Sequence, residues 1–307
     1  MARTTRRPWS EARILARRDS VDAHRMEREA KRAKATAELV PFQFVRGDLH
    51  MHTDYSDGSN TVADMERVAR LRGMDFIFVT DHGTIRQKRA CEKYRNVWWG
   101  QEPGAGLHHV CILAGKRRYE PYKDVARDAQ RLREMGLFFF FPHPTGWYPT
   151  VWYSEEQKDA LAEAGPQFAI EVMNGIFRNE AFHDEWTDSN VALWDRYLCD
   201  GFRVIGLGAT DSHLAVGVGN VWTGVLGARV SLGSVLKGLR SGRVFASNGP
   251  AINLTCGRTP MGGARRVRGD AASVRVECAD GYGLQWVRIV QDGATVEEID
   301  CHGENRL

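Results

Sequence analysis

His50 and His52 stand one residue apart in "GDLHMHTDYSDG", with Asp57 following at a turn. On an extended backbone the side chains at i and i+2 leave the same face, so the two imidazoles would project together from Cα atoms about 7 Å apart, the bite of a metal chelate. The apolar "FQFV" before them and the "SDG" turn after them put the pair at the carboxyl end of a strand, where α/β proteins gather their active sites. Two ordinary half-exposed strand histidines would look the same. One motif does not decide between these readings; other groups of the same chemistry do.

Such groups recur along the chain. His82 closes "MDFIFVTDH", Glu102 closes "NVWWGQE", His109 opens "HVCILAG", His143 closes "LFFFFPH", and Asp211 and His213 close "RVIGLGATDSH" with the i, i+2 spacing again. Of the ten histidines, six (50, 52, 82, 109, 143 and 213) fall at strand ends, a preference that scattered core or surface histidines would not show. Histidine and carboxylate without cysteine suit Mn, Zn or Fe at a catalytic site and argue against a structural thiolate zinc. Nine candidate groups (His50, His52, Asp57, His82, Glu102, His109, His143, Asp211 and His213) are too many for one ion. Two or three divalent ions sharing a carboxylate bridge is the economical reading, since ions about 3.5 to 4 Å apart can clamp an in-line displacement.

The elements that must hold these groups are legible as period changes. From Phe42 to about residue 245, apolar strand-like runs alternate with amphipathic helical stretches, which predicts a parallel α/β fold of barrel size. "TVADMERVARLRG" carries a Thr61 to Asp64 capping-box spacing, an apolar face of Val62, Met65, Val68 and Ala69, and Gly73 as a stop. "PYKDVARDAQRLREMG" reads as a helix with Pro121 in its first turn, and a further helix is expected around 188–200. Residues 1–40 mix arginine with glutamate and read as a basic helical or mobile arm, its charge more simply explained as a solvated face than as a nucleic-acid contact. Residues 249–307 show short strands between Gly and Asp turns, a small β-rich appendage. The expected division is therefore an arm at 1–40, a barrel at 41–248 and a β domain at 249–307.

Composition narrows the class. The 307 residues, 43% hydrophobic and 26% charged, are enough for one large core, and a net charge of +3 does not mark a dedicated nucleic-acid binder. No apolar run reaches membrane-span length, and no apolar stretch follows the arginines of the first thirty residues. Six dispersed cysteines without a CxxC pair are expected to be reduced, in a cytoplasmic protein.

"DLHMHTDYSDG", "VTDHG", "GQE", "FPHP" and "TDSH" resemble, in order, the motifs of the PHP (polymerase and histidinol phosphatase) superfamily of metal-dependent hydrolases. "IEVMNG", "GRVFASNGP" and the β tail look like the subgroup that includes carbaryl hydrolases. The resemblance spans about residues 44–250. It implies a distorted (β/α)7 barrel with a small C-terminal β appendage and a trinuclear centre. His50, His52, Glu102 and Asp211 would hold one ion, Glu102 would bridge to a second held by His109 and His143, and Asp57, His82 and His213 would hold the third. His108 is a rival to His109. Asp57 stands where some relatives have histidine.

The implied reaction is hydrolysis by a metal-bridging hydroxide, most directly of a small phosphate ester or nucleotide. Carboxyl ester or carbamate hydrolysis at the same centre is the alternative, and a non-catalytic metal-stabilised PHP module a third. The expected partner is a small-molecule ester, with neither nucleic acid nor membrane; oligomeric state is not legible. Trp147, Tyr148 and Trp152 would stack on a base or aromatic leaving group, with loop packing the competing reading. Arg178 would pair with a phosphate or carboxylate. Glu171 and Asn174 would orient ligands or form an ordinary buried polar pair.

Overall fold

The structure, a computed structural model, describes residues 11–104, 108–122, 124–146, 153–163, 165, 167–175, 185–269 and 271–307. In chain order its elements are α1 (Glu11–Leu39), β1 (Phe44–Asp48), α2 (Val62–Leu71), β2 (Phe76–Val79), α3 (Lys88–Cys91), β3 (Val97–Gln101), β4 (Cys111–Leu113), α4 (Val125–Glu134) and β5 (Phe138–Phe140). There follow α5 (Glu155–Glu163), β6 (Gln167–Asn174), α6 (Glu185–Cys199), β7 (Arg203–Ala209), β8 (Trp222–Leu226), α7 (Leu232–Ser241) and β9 (Val244–Ser247). Five short strands end the chain: β10 (Ala251–Cys256), β11 (Thr259–Pro260), β12 (Arg275–Ala279), β13 (Trp286–Gln291) and β14 (Ala294–Asp300).

Seven strands form a curled sheet in the order β5-β4-β3-β2-β1-β8-β9, and β6 and β7 pair beside it. The expectation of a parallel sheet holds for β1–β2, β2–β3 and β6–β7, but β3–β4, β4–β5, β1–β8 and β8–β9 are antiparallel. For β3–β4 the physical reason lies in the connection. A parallel return needs a crossover of about a dozen residues or more, usually helical. The β3–β4 link is shorter than that, whereas the β4–β5 and β8–β9 links carry helices α4 and α7 and these pairs are antiparallel all the same. Isolated parallel bridges, Phe141 to Ile170 and Met51 to Ser212, draw β5 towards β6 and the end of β7 towards the end of β1. The strand ends therefore converge at one rim.

Local chemistry explains the helices that cover the sheet. Thr61 caps α2 with both halves of the capping box made, and Val62, Met65, Val68 and Ala69 are its buried face, as the periodicity requires. Helix α4 starts later than expected, at Val125, because the Asp124 carboxylate accepts from the Arg127 N–H and makes Asp124 the cap; Pro121 lies in the preceding loop. Helix α6, at 185–199, fills the place expected for a helix near 188–200.

The N-terminal segment from Glu11 is one long helix rather than a mobile arm. Met26, Ala33 and Thr36 on it are buried, so its inner face is not simply solvated. The final strands make a three-stranded sheet, β11-β10-β12, and the β13–β14 hairpin, with a small apolar cluster of Cys278, Leu284, Val287 and Cys301. All six cysteines are free thiols. Among the described residues no helix is long and apolar enough to cross a membrane.

Candidate metal centre

The rim where strands converge carries the nine groups singled out in the sequence. Past the end of β1 the chain stays extended, because Met51 bridges Ser212, the His52 N–H donates to the Ser212 carbonyl and the Thr80 N–H to the Met51 carbonyl. This sets His50 and His52 on one side with their Nε2 atoms 3.1 Å apart. Two imidazole nitrogens at that distance can share one proton or face one cation.

Glu102, at the end of β3, is the hub. Its Oε1 lies 2.8 Å from His109 Nδ1 and 3.3 Å from His143 Nε2. Its Oε2 lies 3.1 Å from the Nε2 atoms of both His50 and His52 and 3.2 Å from His82 Nδ1. The two oxygens of one fully buried carboxylate thus face different sets of imidazoles. Asp211 Oδ1 approaches His52 Nε2 at 2.9 Å and His50 Nε2 at 3.3 Å. On the open side, Asp57 Oδ2 lies 3.2 Å from His213 Nε2 and 3.5 Å from His82 Nε2. The His82 and His213 rings both pack against His52, with centroids 4.2 and 4.4 Å from its own and 6.2 Å from each other.

Three sets of donor atoms are close enough to surround an ion: His50, His52, Glu102 and Asp211; His82, Glu102 and His109; and His52, Asp57, His82 and His213. The first is wholly buried and the last partly exposed. Two orphaned atoms test whether cations fit. Glu102 Oε2 is buried and accepts no hydrogen bond although three ring nitrogens surround it, and His52 Nδ1 is buried without a hydrogen-bond partner, 3.9 Å from Asp57 Oδ1. Lone pairs that converge without hydrogen bonds leave a position suited to a cation, and His and carboxylate donors without thiolate suit Mn, Zn or Fe.

The field of the site agrees. Burial disfavours a proton on His50 and His52, yet Cys111, Asp211 and Glu102 outweigh it at His50, and Asp211 and Glu102 at His52; His50 is pushed well above the ordinary histidine range and His52 up to about 9. Burial likewise favours the neutral forms of Glu102 and Asp211, but the imidazoles hold both below the ordinary carboxylate range. Any positive charge, proton or metal, is drawn to the same place.

A further layer of groups aims these side chains. Glu171 Oε1 meets His50 Nδ1 at 3.3 Å, while its Oε2 accepts from the His143 N–H at 2.9 Å and from Asn174 Nδ2 at 2.8 Å, so Glu171 touches two of the candidate groups and Asn174 touches Glu171. Asp48 and Asp81 were not singled out in the sequence. The Asp81 carboxylate accepts from the N–H and hydroxyl of Thr53 and from the Ser56 hydroxyl, which folds the Asp57 loop over the site. The Asp48 carboxylate accepts from the N–H and hydroxyl of Thr210 and from the Gly219 N–H, which fixes the loop bearing Asp211 and His213. The available signal was an aspartate one or two residues before a histidine, in "GDLH" and "TDH". Asp211 and His143 have φ of 50° and 32°, left-handed values uncommon outside glycine and often found at functional sites.

His108 does not reach the cluster; it is buried against Asp128 at 3.2 Å, leaving the position beside Glu102 to His109. Arg178, Trp147, Tyr148 and Trp152 lie outside the described residues. A cavity of about 370 Å³ opens beside the cluster and is lined by His82, Gly83, His109, Arg118, Tyr119 and Glu120 among others.

Residues 48–138 match the model of the PHP domain family. Among solved structures, the chain is similar to a two-domain protein of Bacteroides vulgatus containing a predicted PHP-like metal-dependent phosphoesterase, at 16% identity and a TM-score of 0.51, over 87% of this chain and 86% of that one. It is also similar to PsfC from Pseudomonas syringae, at 17% identity and a TM-score of 0.48, over 67% of this chain and 91% of that one. At these identities the likeness to the Bacteroides protein speaks for the fold. No curated protein sequence matches the chain.

Proposed function

The chain carries a PHP domain, and from that premise we propose that it is a metal-dependent hydrolase of small esters, in the first place phosphate esters. The observation that carries the reading is the split of Glu102, one oxygen facing His109 and His143 and the other facing His50, His52 and His82. A carboxylate placed so would be shared by two ions, with His50, His52 and Asp211 on one side and His109 and His143 on the other. Asp57, His82 and His213 would hold a third on the exposed side. Bound ions would supply an acidified water and neutralise charge developing on the ester oxygen.

The protein's own part is positional. Glu171 holds the His50 ring by its far nitrogen and so presents Nε2 to the centre, and Asp48 and Asp81 lock the two loops that carry the exposed groups. Burial of Glu102, His50 and His52 keeps bulk water from competing for the same donors.

The test combines elemental analysis with a panel of 4-nitrophenyl phosphate, bis(4-nitrophenyl) phosphate and 4-nitrophenyl acetate, assayed with Mn, Zn or Fe added. Two or three ions per chain and phosphomonoester hydrolysis abolished by chelation are expected. At most one ion in metal-replete protein would sink the shared-carboxylate reading. Turnover of the acetate alone would move the activity to carboxyl esters, and full metal content with no turnover would favour a metal-stabilised module.

A further inference from the structure

Among the described residues lining the cavity beside the candidate centre, Arg118 is the only lysine or arginine. Its backbone is held with unusual completeness for a loop. The Gln101 side chain donates from Nε2 to the Arg117 carbonyl at 2.8 Å and accepts at Oε1 from the Tyr119 N–H at 2.8 Å, clasping the chain on either side of Arg118. Gln101 is buried and directly precedes Glu102. The Tyr119 hydroxyl then donates to Asp128 at 2.6 Å, in the same buried group that takes His108. A loop tied this way keeps a fixed relation to the hub carboxylate.

The side chain leaves that clasp towards the cluster. Arg118 Nη2 lies 4.0 Å from where a Cβ on Gly83 would stand, and Gly83 follows His82 and donates its N–H to the Glu102 carbonyl. The guanidinium is largely exposed and meets one acidic group, Glu120, at 3.0 Å. An exposed pair of this kind contributes little to stability, so neither charge is needed for folding. A buried clasp that places a replaceable charge on the rim of a cavity suits recognition of a ligand: a guanidinium binds carboxylate or phosphate oxygens in pairs.

We propose that Arg118 is a substrate-binding residue that takes an oxyanion, carboxylate or phosphate, on the leaving part of the substrate, away from the bond being cleaved, with Glu120 as its partner when the cavity is free. The substrate class is then a small ester with a second acidic group, sized for a cavity of about 370 Å³. This rests on the hydrolase reading for what happens to the ligand, but not for the binding itself.

The test uses the full-length, metal-replete protein and three non-hydrolysable probes measured by titration calorimetry: benzylphosphonate, 4-(phosphonomethyl)benzoate and 1,4-bis(phosphonomethyl)benzene. At least a tenfold preference for the two doubly acidic probes is expected, falling towards one in Arg118→Met while benzylphosphonate affinity and metal content stay as in the parent. Glu120→Gln, which removes the competing carboxylate, should enlarge the preference, and the order of the two diacids tells carboxylate from phosphate. A preference absent in the parent, or undiminished in Arg118→Met, overturns the proposal. Phenyl phosphate and 4-carboxyphenyl phosphate provide the separate turnover arm: if neither is cleaved while the binding preference stands, the hydrolase reading falls and the Arg118 site remains.

Discussion

Around Glu102 and Asp211 the positive partners are imidazoles, whereas where α1 meets the barrel and the C-terminal strands they are the permanent charges of Arg72 and Arg32. Arg72, 1% exposed, lies 3.2 Å from Glu29 of α1, donates to Asn220 Oδ1 at 2.5 Å and reaches the Val216 carbonyl at 3.0 Å. Arg32 donates through Nε to Asp280 at 2.7 Å, pairs with the same carboxylate through Nη2, and reaches the Asn248 carbonyl. Each junction anion there faces a cation that stays charged at every working pH. Among the described residues the rim cluster has only titratable partners with converging lone pairs, an arrangement that a bound cation would balance. Buried charge with a built-in counterion marks architecture; buried charge that must import one marks a site.

If the rim imports its cations, Glu102→Gln should have the largest effect of any single substitution. It removes the negative charge that offsets repulsion between neighbouring ions, which scales with the product of their charges. Loss of two ions together is expected, with a fall in activity well beyond the roughly 10–100-fold typical of changing a group behind the ligands. His143→Ala should deplete chiefly one ion after identical dialysis. Equal depletion in the two variants would place the bridge elsewhere.

Removing residues 1–38 addresses the other half of the contrast. From the sequence alone this segment looks dispensable, but it supplies Glu29 and Arg32 and buries Met26 and Ala33. A lower unfolding midpoint in urea is expected, equally with and without metal. A truncated protein of unchanged midpoint would show that the junction carries no stability.

The smallest effect is expected for Glu29→Gln, which keeps the shape of the contact and removes its charge. Glu29 is partly exposed and Arg72 retains its Asn220 and Val216 partners, so a cost of about 1 kcal/mol is anticipated. Metal stoichiometry should not move. A loss of ions would mean that the junction controls the loop bearing Asp211 and His213, and the two clusters would no longer be separable.

Much of this was legible in the residue order because its causes are local. The apolar run before His50 and the Thr61–Asp64 cap marked β1 and α2, and histidine with carboxylate at strand ends marked the candidate donors, since side-chain direction follows from backbone period. His109 shows where local reasoning stops. It opens its strand while its partners close theirs, and in a parallel sheet it would sit at the far rim; only the reversal of β4 against β3 and β5 brings it to Glu102. The roles of Asp48 and Asp81 and the choice of His109 over His108 depended likewise on contacts distant in sequence, such as Asp48 to Thr210 and His108 to Asp128. The sequence by itself determined which donors the protein has and that strand ends carry them. Tertiary structure alone decided which oxygen of Glu102 faces which imidazole and that α1 is docked, because strand direction and long-range packing are settled by how connections return and surfaces fit, not by the period of any one segment.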